Sequence, residues 1–480
     1  MVIVQNGYEC REKIILFANI FFDKEEEPYI YSNLSRDGRT ISVYTTIIFE
    51  GETYFSDDVF SMLPEADEPK RRRILDAAVT KSFCHAAKQI RLVNLPWGVM
   101  CGIRPAKMVR ELADQGYTRD EIYRELQEIY ETEDEKLRLA MEVADNERLL
   151  LKQMGENSVS LYIGIPFCPT RCMYCSFVST DVRVSGKYMD EFVRLLLKEI
   201  EKAGEIIRRM GCYTEHIYIG GGTPTTLSAE QLRDIFDALK KHIITGDLKE
   251  FTLEAGRSDT ITREKLEAAR DGGVNRISIN PQTMNEETLK RVGRAHTPNM
   301  VREAFSLARE LGFTNINADL IAGLPGETPE MFYRSLDQVI ELDPESITVH
   351  SMCVKRAAKL RLSGIWLTEA ENMNRMLSYA QRRMDETGRK PYYMYRQKNI
   401  SGNLENVGYA KDGCMSFYNV NIMEEVQTII ALGGGGSTKI VSGGRIERVF
   451  NFKDPGEYIR RFDEILEKKE EIVSVSRMLS

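Results

Sequence analysis

The segment SLYIGIPFCPTRCMYCSF, residues 160–177, runs from an apolar strand-like stretch straight into Cys168, Cys172 and Cys175, a C-x3-C-x2-C pattern. With nine cysteines in 480 residues, accident would supply roughly 0.003 such triplets, so the spacing reflects a chemical requirement. A structural zinc site calls for four Cys or His ligands in two knuckles; no second C-x2-C follows, and the nearest downstream histidine is His216. Disulfides suit neither an odd number of thiols nor a long chain that opens MVIVQNGYEC without a secretory signal, which points to a reducing, cytoplasmic setting. An iron–sulfur cluster on three thiolates leaves one iron without a protein ligand, and that iron can hold a substrate or cofactor.

The composition is that of a folded chain of two or three domains: 42% hydrophobic and 29% charged residues. A net charge of −8 and a pI near 5.5 argue against nucleic acid as a partner, which would call for a basic surface. The apolar stretch IILFANIFF, 14–22, is too short to span a membrane and reads as a buried strand. The run KRRR at 70–73 opens a helix and reads as a solvated helix face.

From residue 158 onward, apolar strands alternate with amphipathic helices. The strands are 160–165, 216–221, 251–255, 276–280, 317–323 and 346–351. Six βα units predict a parallel sheet, and an open partial (β/α)6 barrel suits that number better than a closed eight-stranded one. In such a sheet the active site gathers at the carboxyl ends of the strands. The cysteines follow strand one, Gly220, Gly221 and Gly222 follow strand two, and Glu254 ends strand three; Gln282 follows strand four, Asp319 lies within strand five and His350 ends strand six. The expected organisation is an α+β accessory domain over 1–104, a helical connector over 105–157, the barrel over 158–352 and a C-terminal substrate or lid domain over 353–480.

Four segments carry a resemblance to a known family: YIGIPFCPTRCMYCSF, GGGTPTTL, RISINPQTMNEETLKRVGRAH and NADLIAGLPGET, in that order. They are similar to the motifs of radical S-adenosylmethionine enzymes of the oxygen-independent coproporphyrinogen III oxidase group. The segments LPWGVMCGIRPAKMVRE, SITVHSMCVKRAAKL and PYYMYRQKNISGNLENVGYAKDGC resemble its HemZ-type coproporphyrinogen dehydrogenase branch.

That resemblance implies a 4Fe-4S cluster on Cys168, Cys172 and Cys175, with S-adenosyl-L-methionine chelated at the open iron and cleaved reductively to a 5′-deoxyadenosyl radical. It implies cofactor contacts from Tyr162, from Gly220, Gly221, Gly222 and Thr223, from Glu254 and Asp319, and from Gln282 and Arg294, with GLPGET on the adenine side. It assigns no side chain to the chemistry itself. It also implies a tetrapyrrole substrate and a low-potential electron donor such as a flavodoxin or ferredoxin. Coproporphyrinogen III carries four propionates, for which Lys355, Arg356, Arg396 and Lys398 are the candidate cations by position.

Two departures bear on the reaction. Phe177 stands where decarboxylases of the group carry a further cysteine, and Gly164 where they carry a histidine; the His-Asn and Tyr-Trp pairs of the haem-chaperone branch have no counterpart here. Oxidative decarboxylation of propionates to vinyls is the leading expectation. A haem-binding or haem-delivery protein, and a radical methyltransferase or ring-opening enzyme acting on haem, are the alternatives.

Overall fold

The structure, a computed structural model, describes residues 1–23, 25–62, 67–102, 104–175, 177, 179–353, 369–397, 403–443 and 445–479. It divides into two compact units. The first comprises Met1–Met141 with 369–371 and 396–404; the second comprises 142–368, 372–395 and 405–480.

The first unit holds a four-stranded sheet: β1 (Val2–Asn6), β2 (Tyr29–Asp37), β3 (Thr40–Phe49) and β4 (Glu52–Ser61). β1 runs parallel to β2, and β2, β3 and β4 form an antiparallel meander. Glu50 and Gly51 both take positive φ between the paired Phe49 and Glu52, the conformation a two-residue hairpin turn requires. Residues 14–22 correct the strand expectation, because Arg11–Phe21 is an α-helix. Ile14, Phe17, Ala18 and Phe21 recur at helical spacing and are all buried, and Phe21 meets Phe83 edge-on at 6.1 Å. The run contained both periods, and packing against the 68–88 helix selected the helical one. In KRRR the solvated-face reading fails at Lys70, which is buried and pairs with Glu125 at 2.8 Å.

The second unit is built on β5 (Ser158–Ile165), β8 (Tyr213–Gly221), β9 (Glu250–Glu254), β10 (Arg276–Ser278), β11 (Ile316–Ala322) and β12 (Ser346–Ser351). Two short strands, β6 (Phe167–Cys168) and β7 (Thr180–Asp181), lie between β5 and β8 and pair with each other. The six long strands pair in parallel in the order β5-β8-β9-β10-β11-β12, as the alternating pattern predicts. Helices between them start where expected: Ser228 and Gln231 close a capping box ahead of Ala229–His242.

The strands after residue 353 continue this sheet. They are β13 (Lys390–Arg396), β14 (Glu405–Ala410), β15 (Ile429–Gly433), β16 (Ser437–Ser442) and β17 (Arg445–Phe450). β14 pairs antiparallel with β12, and β15 pairs parallel with β5, with Gly433 opposite Gly164. The result among the described residues is an 11-stranded mixed sheet whose order runs from β13 to β17, an open partial barrel. GGGGS at 433–437 is a tight turn on β5: Gly434 donates to Gly164 O at 2.9 Å, and a Cβ on Gly434 would meet the Pro166 ring at 2.6 Å. Of YYMY, Tyr392 and Tyr393 are core residues, packed with Leu150, Ala410 and Val420.

Candidate active site at the strand ends

The cysteine loop leaves β5 through Pro166 and is fastened along its length. Thr180 donates to Pro166 O at 2.8 Å, Met173 to Val292 O at 3.0 Å, and the Thr170 hydroxyl to Gly293 O at 3.2 Å. Arg257, almost fully buried, holds the same turn. Its Nη1 donates to Thr170 O at 3.1 Å and Oγ1 at 2.8 Å, while Nε and Nη2 form a fork on Asp259. A loop with this many fixed points presents its thiols in one arrangement, which a metal cluster needs.

Cys168 and Cys172 are buried and Cys175 is half-buried. Burial pushes the Cys168 and Cys175 thiols up, against the Thr223 hydroxyl 3.5 Å from Cys168 Sγ. Thiols in that state bind metal with release of protons. Among the described residues no three His, Cys, Asp or Glu side chains converge on one ion-sized point. A cubane does not ask for that, since each thiolate takes a separate iron.

The glycine run makes the opposite wall. Gly222 N donates to Ile165 O at 2.7 Å and Thr223 N to Phe167 O at 2.8 Å, drawing the end of β8 against the cysteine loop. Side chains there would close the gap: a Cβ on Gly222 would lie 3.0 Å from Cys168 Sγ, and one on Gly220 would lie 3.0 Å from the Glu254 carboxyl carbon. Gly221 has φ of +109°, which L side chains rarely adopt.

Glu254 ends β9 and accepts a hydrogen bond of 2.5 Å from the Tyr218 hydroxyl. Burial, with the Asp319 charge added, raises its carboxyl to about 7; Tyr218, His350 and Arg276 pull the other way. At Asp319 burial also pushes upward, but the His350 ring at 3.6 Å and the Asn317 amide at 2.7 Å outweigh it, and its carboxyl ends below the ordinary value. Two carboxyls, on β9 and on β11 with β10 between them, are thus driven apart, one held charged and one able to carry a proton near neutrality. Tyr395 contacts the far nitrogen of His350 at 3.3 Å and fixes that ring.

Gln282 lies beside Asp319 through a two-way backbone bridge. Its N–H donates to Asp319 O and its carbonyl accepts from Ile321, both at 2.9 Å, and its φ of +67° is a conformation that non-glycine residues adopt at a cost. The Arg294 guanidinium donates Nη1 to Asn280 O at 2.6 Å and acts electrostatically on Cys172, while its buried Nε has no partner among the described residues. Tyr162, inside the barrel, lies near-parallel to Tyr418 at 6.2 Å and Tyr218 at 6.3 Å; those two stack at 4.5 Å.

The site residues read from the sequence therefore gather at one end of the sheet, with Gly220, Gly221, Gly222 and Thr223 between the thiols and the carboxyls. Tyr218, Tyr418 and Arg257 were not singled out in advance. Tyr218 was detectable, being two residues from Gly220 on one strand and so on the same face. The propionate assignment fails at Arg396, which is 2% exposed, donates to Met100 O and Asn403 O, and lies 5.1 Å over Trp97. A guanidinium so satisfied is a core strut. Lys355, Arg356 and Lys398 fall outside the described residues.

Fold and site together define a class, and residues 162–339 match the model of the radical SAM superfamily. The chain is 40% identical to the oxygen-independent coproporphyrinogen-III oxidase-like protein HemZ of Bacillus subtilis over 384 residues, 78% of this chain and 77% of that one. It belongs to this oxidase-like family within the radical SAM superfamily. The heme chaperone HemW of the same organism is 38% identical over 197 residues, 41% of this chain and 51% of its own length. Coproporphyrinogen III oxidase of Escherichia coli, a radical SAM enzyme of known structure, shares the fold with a TM-score of 0.53 at 24% identity, covering 67% of this chain and 73% of that one. No helix of the described residues is long and apolar enough to cross a membrane.

Proposed function

We propose that the chain is a radical S-adenosylmethionine enzyme acting on a tetrapyrrole, and that its reaction is the oxidative decarboxylation of coproporphyrinogen III propionates to vinyls. The observation that carries the reading is the opposition, across Gly220–Thr223, of a three-thiol loop with two buried thiols and a carboxyl pair on β9 and β11. Cys168, Cys172 and Cys175 would hold a 4Fe-4S cluster, which when bound supplies the electron for cleavage of S-adenosyl-L-methionine.

The remaining work falls to the chain. The glycines at 220–222 keep the gap open for main-chain contact with the cofactor, and Thr223 steadies the Cys168 sulfur. Asp319, kept ionised by His350 and Asn317, suits a cationic or hydroxyl-bearing part of the cofactor. Glu254, held by Tyr218, is the second acceptor. Tyr162 covers the interior end, and Gln282 and Arg294 bound the side towards β10. The aromatic wall of half-buried Tyr162 and Tyr218 and buried Tyr418 limits water in the reacting region.

The test is anaerobic reconstitution of the full chain, followed by turnover with coproporphyrinogen III and mass analysis of the tetrapyrrole. Loss of carboxyl groups as carbon dioxide, with 5′-deoxyadenosine formed, supports the proposal. A second reading, haem binding and delivery, is favoured by the 38% identity to a protein named heme chaperone and by Phe177, 69% exposed where the decarboxylases carry a cysteine. Tight haem binding with no decarboxylated product would establish that reading in place of the first.

A further inference from the structure

The first unit contains a recess of about 50 Å³, more than the roughly 30 Å³ share of a liquid water. Lys13 of the 11–21 helix, Arg73 and Asp76 of the 68–88 helix, Tyr130 and Cys101 line it. The side chains of Lys13 and Arg73 make no hydrogen bond or ion pair among the described residues, although this chain is acidic overall and the adjacent Lys70 of the KRRR run is paired to Glu125. Tyr130 is 6% exposed, and its hydroxyl has no hydrogen-bond partner among the described residues. The Tyr130 side chain is packed in the core but lines the recess, so its phenol is free to donate to a group that enters.

The one carboxylate on the lining is already engaged: Tyr8 donates to Asp76 Oδ1 at 2.9 Å. Thr80 spends its hydroxyl proton on Asp76 O at 2.7 Å, and besides the Cys101 thiol the polar groups that remain are three donors, Lys13, Arg73 and Tyr130, two of them cations. Burial raises the Tyr130 phenol to about 12, opposed by the Arg73 charge, so it stays protonated and serves as a donor. A donor set of guanidinium, ammonium and phenol around a volume of this size matches one oxyanion head.

We infer that this recess is a binding site for a small oxyanion, a carboxylate or a phosphate, held by Lys13, Arg73 and Tyr130. The site is built entirely from the first unit and does not depend on the chemistry proposed for the second.

The experiment titrates inorganic phosphate and, separately, propionate into the full-length protein by calorimetry, with Lys13→Gln, Arg73→Gln and Tyr130→Phe variants alongside. Saturable binding of at least one anion is expected, weakened about tenfold or more by each glutamine substitution, the cost of removing a charged donor. Preference for propionate assigns the site to a carboxylate arm, and preference for phosphate to a phosphate-bearing ligand. Binding of neither anion, or binding unchanged in all three variants, overturns the inference. Because Cys101 lines the recess, a second measurement needs no substitution: its carboxymethylation by iodoacetate, read by mass spectrometry, should be slowed by the preferred anion. An unchanged rate at saturating anion would count against the site.

Discussion

At the scale of single residues, the site depends on what a few buried groups are permitted to be. Glu254 takes its hydrogen bond from Tyr218 and is no ligand to metal in the proposed arrangement. Glu254→Gln keeps the shape and removes the charge. Iron content after reconstitution should stay at that of the wild type, while affinity for S-adenosyl-L-methionine falls about tenfold to hundredfold, as a lost charge-assisted bond implies. Iron analysis with equilibrium binding of the cofactor checks both parts. Arg396 shows the reverse lesson, that a charge near a presumed substrate region can belong to the core. Nothing in YMYRQK marked Arg396 as different from Lys398; its fate was set by Trp97 and Met100, some 300 residues earlier.

At the scale of elements, the turns are the sensitive parts. Gly221→Ala would put a Cβ 2.9 Å from Ile165 N and O at a φ of +109°, with rigid backbone on the other side. The turn must then move off the cysteine loop, and reconstituted iron per chain should fall well below that of the wild type, measured against an unchanged far-ultraviolet circular dichroism spectrum. The turn after β11 carries a titrating group. Glu327 is 5% exposed and takes a 2.5 Å hydrogen bond from Thr283; burial, outweighing that bond, raises its carboxyl to about 7. Its pKa in the fold lies above the unfolded value, so the folded state holds the proton longer. Stability from this group is present below about pH 4.5, falls as pH rises, and is fully lost above about 7. Glu327→Gln should therefore match the wild type at pH 4 and be more stable at pH 8, by on the order of 3 kcal/mol. Urea denaturation at the two pH values measures the difference, and an equal gain at both would refute the assignment.

At the scale of the whole molecule, the C-terminal segment is tied to the barrel by one buried ion pair. Lys469 and Glu199 lie 3.2 Å apart and are both fully buried; Tyr458, Asn451 and Gly433 N–H complete the bonding of the carboxylate. Lys469→Met leaves that charge buried without its cation and should cost about 3–5 kcal/mol, whereas adding Glu199→Gln should recover part of the loss. Thermal unfolding of the single and double variants provides the check. The amino-acid sequence alone determined the six parallel strands, the cysteine loop and the order of the cofactor motifs. Each of these is local, written in a strand period, a capping box or a spacing of a few residues. It misread 14–22 because a nine-residue stretch with only Asn19 polar satisfies strand and helix alike until a partner helix selects one face. Tertiary structure alone decided that β14 and β15 would extend the sheet at β12 and β5. It also brought Tyr418 to Tyr162 and Tyr218, anchored Thr170 on Arg257, and set the Lys13 and Arg73 side chains on the wall of one recess. Those outcomes join residues tens to hundreds of positions apart, and such pairings are fixed by the burial and hydrogen bonding of the assembled fold, which no local pattern records.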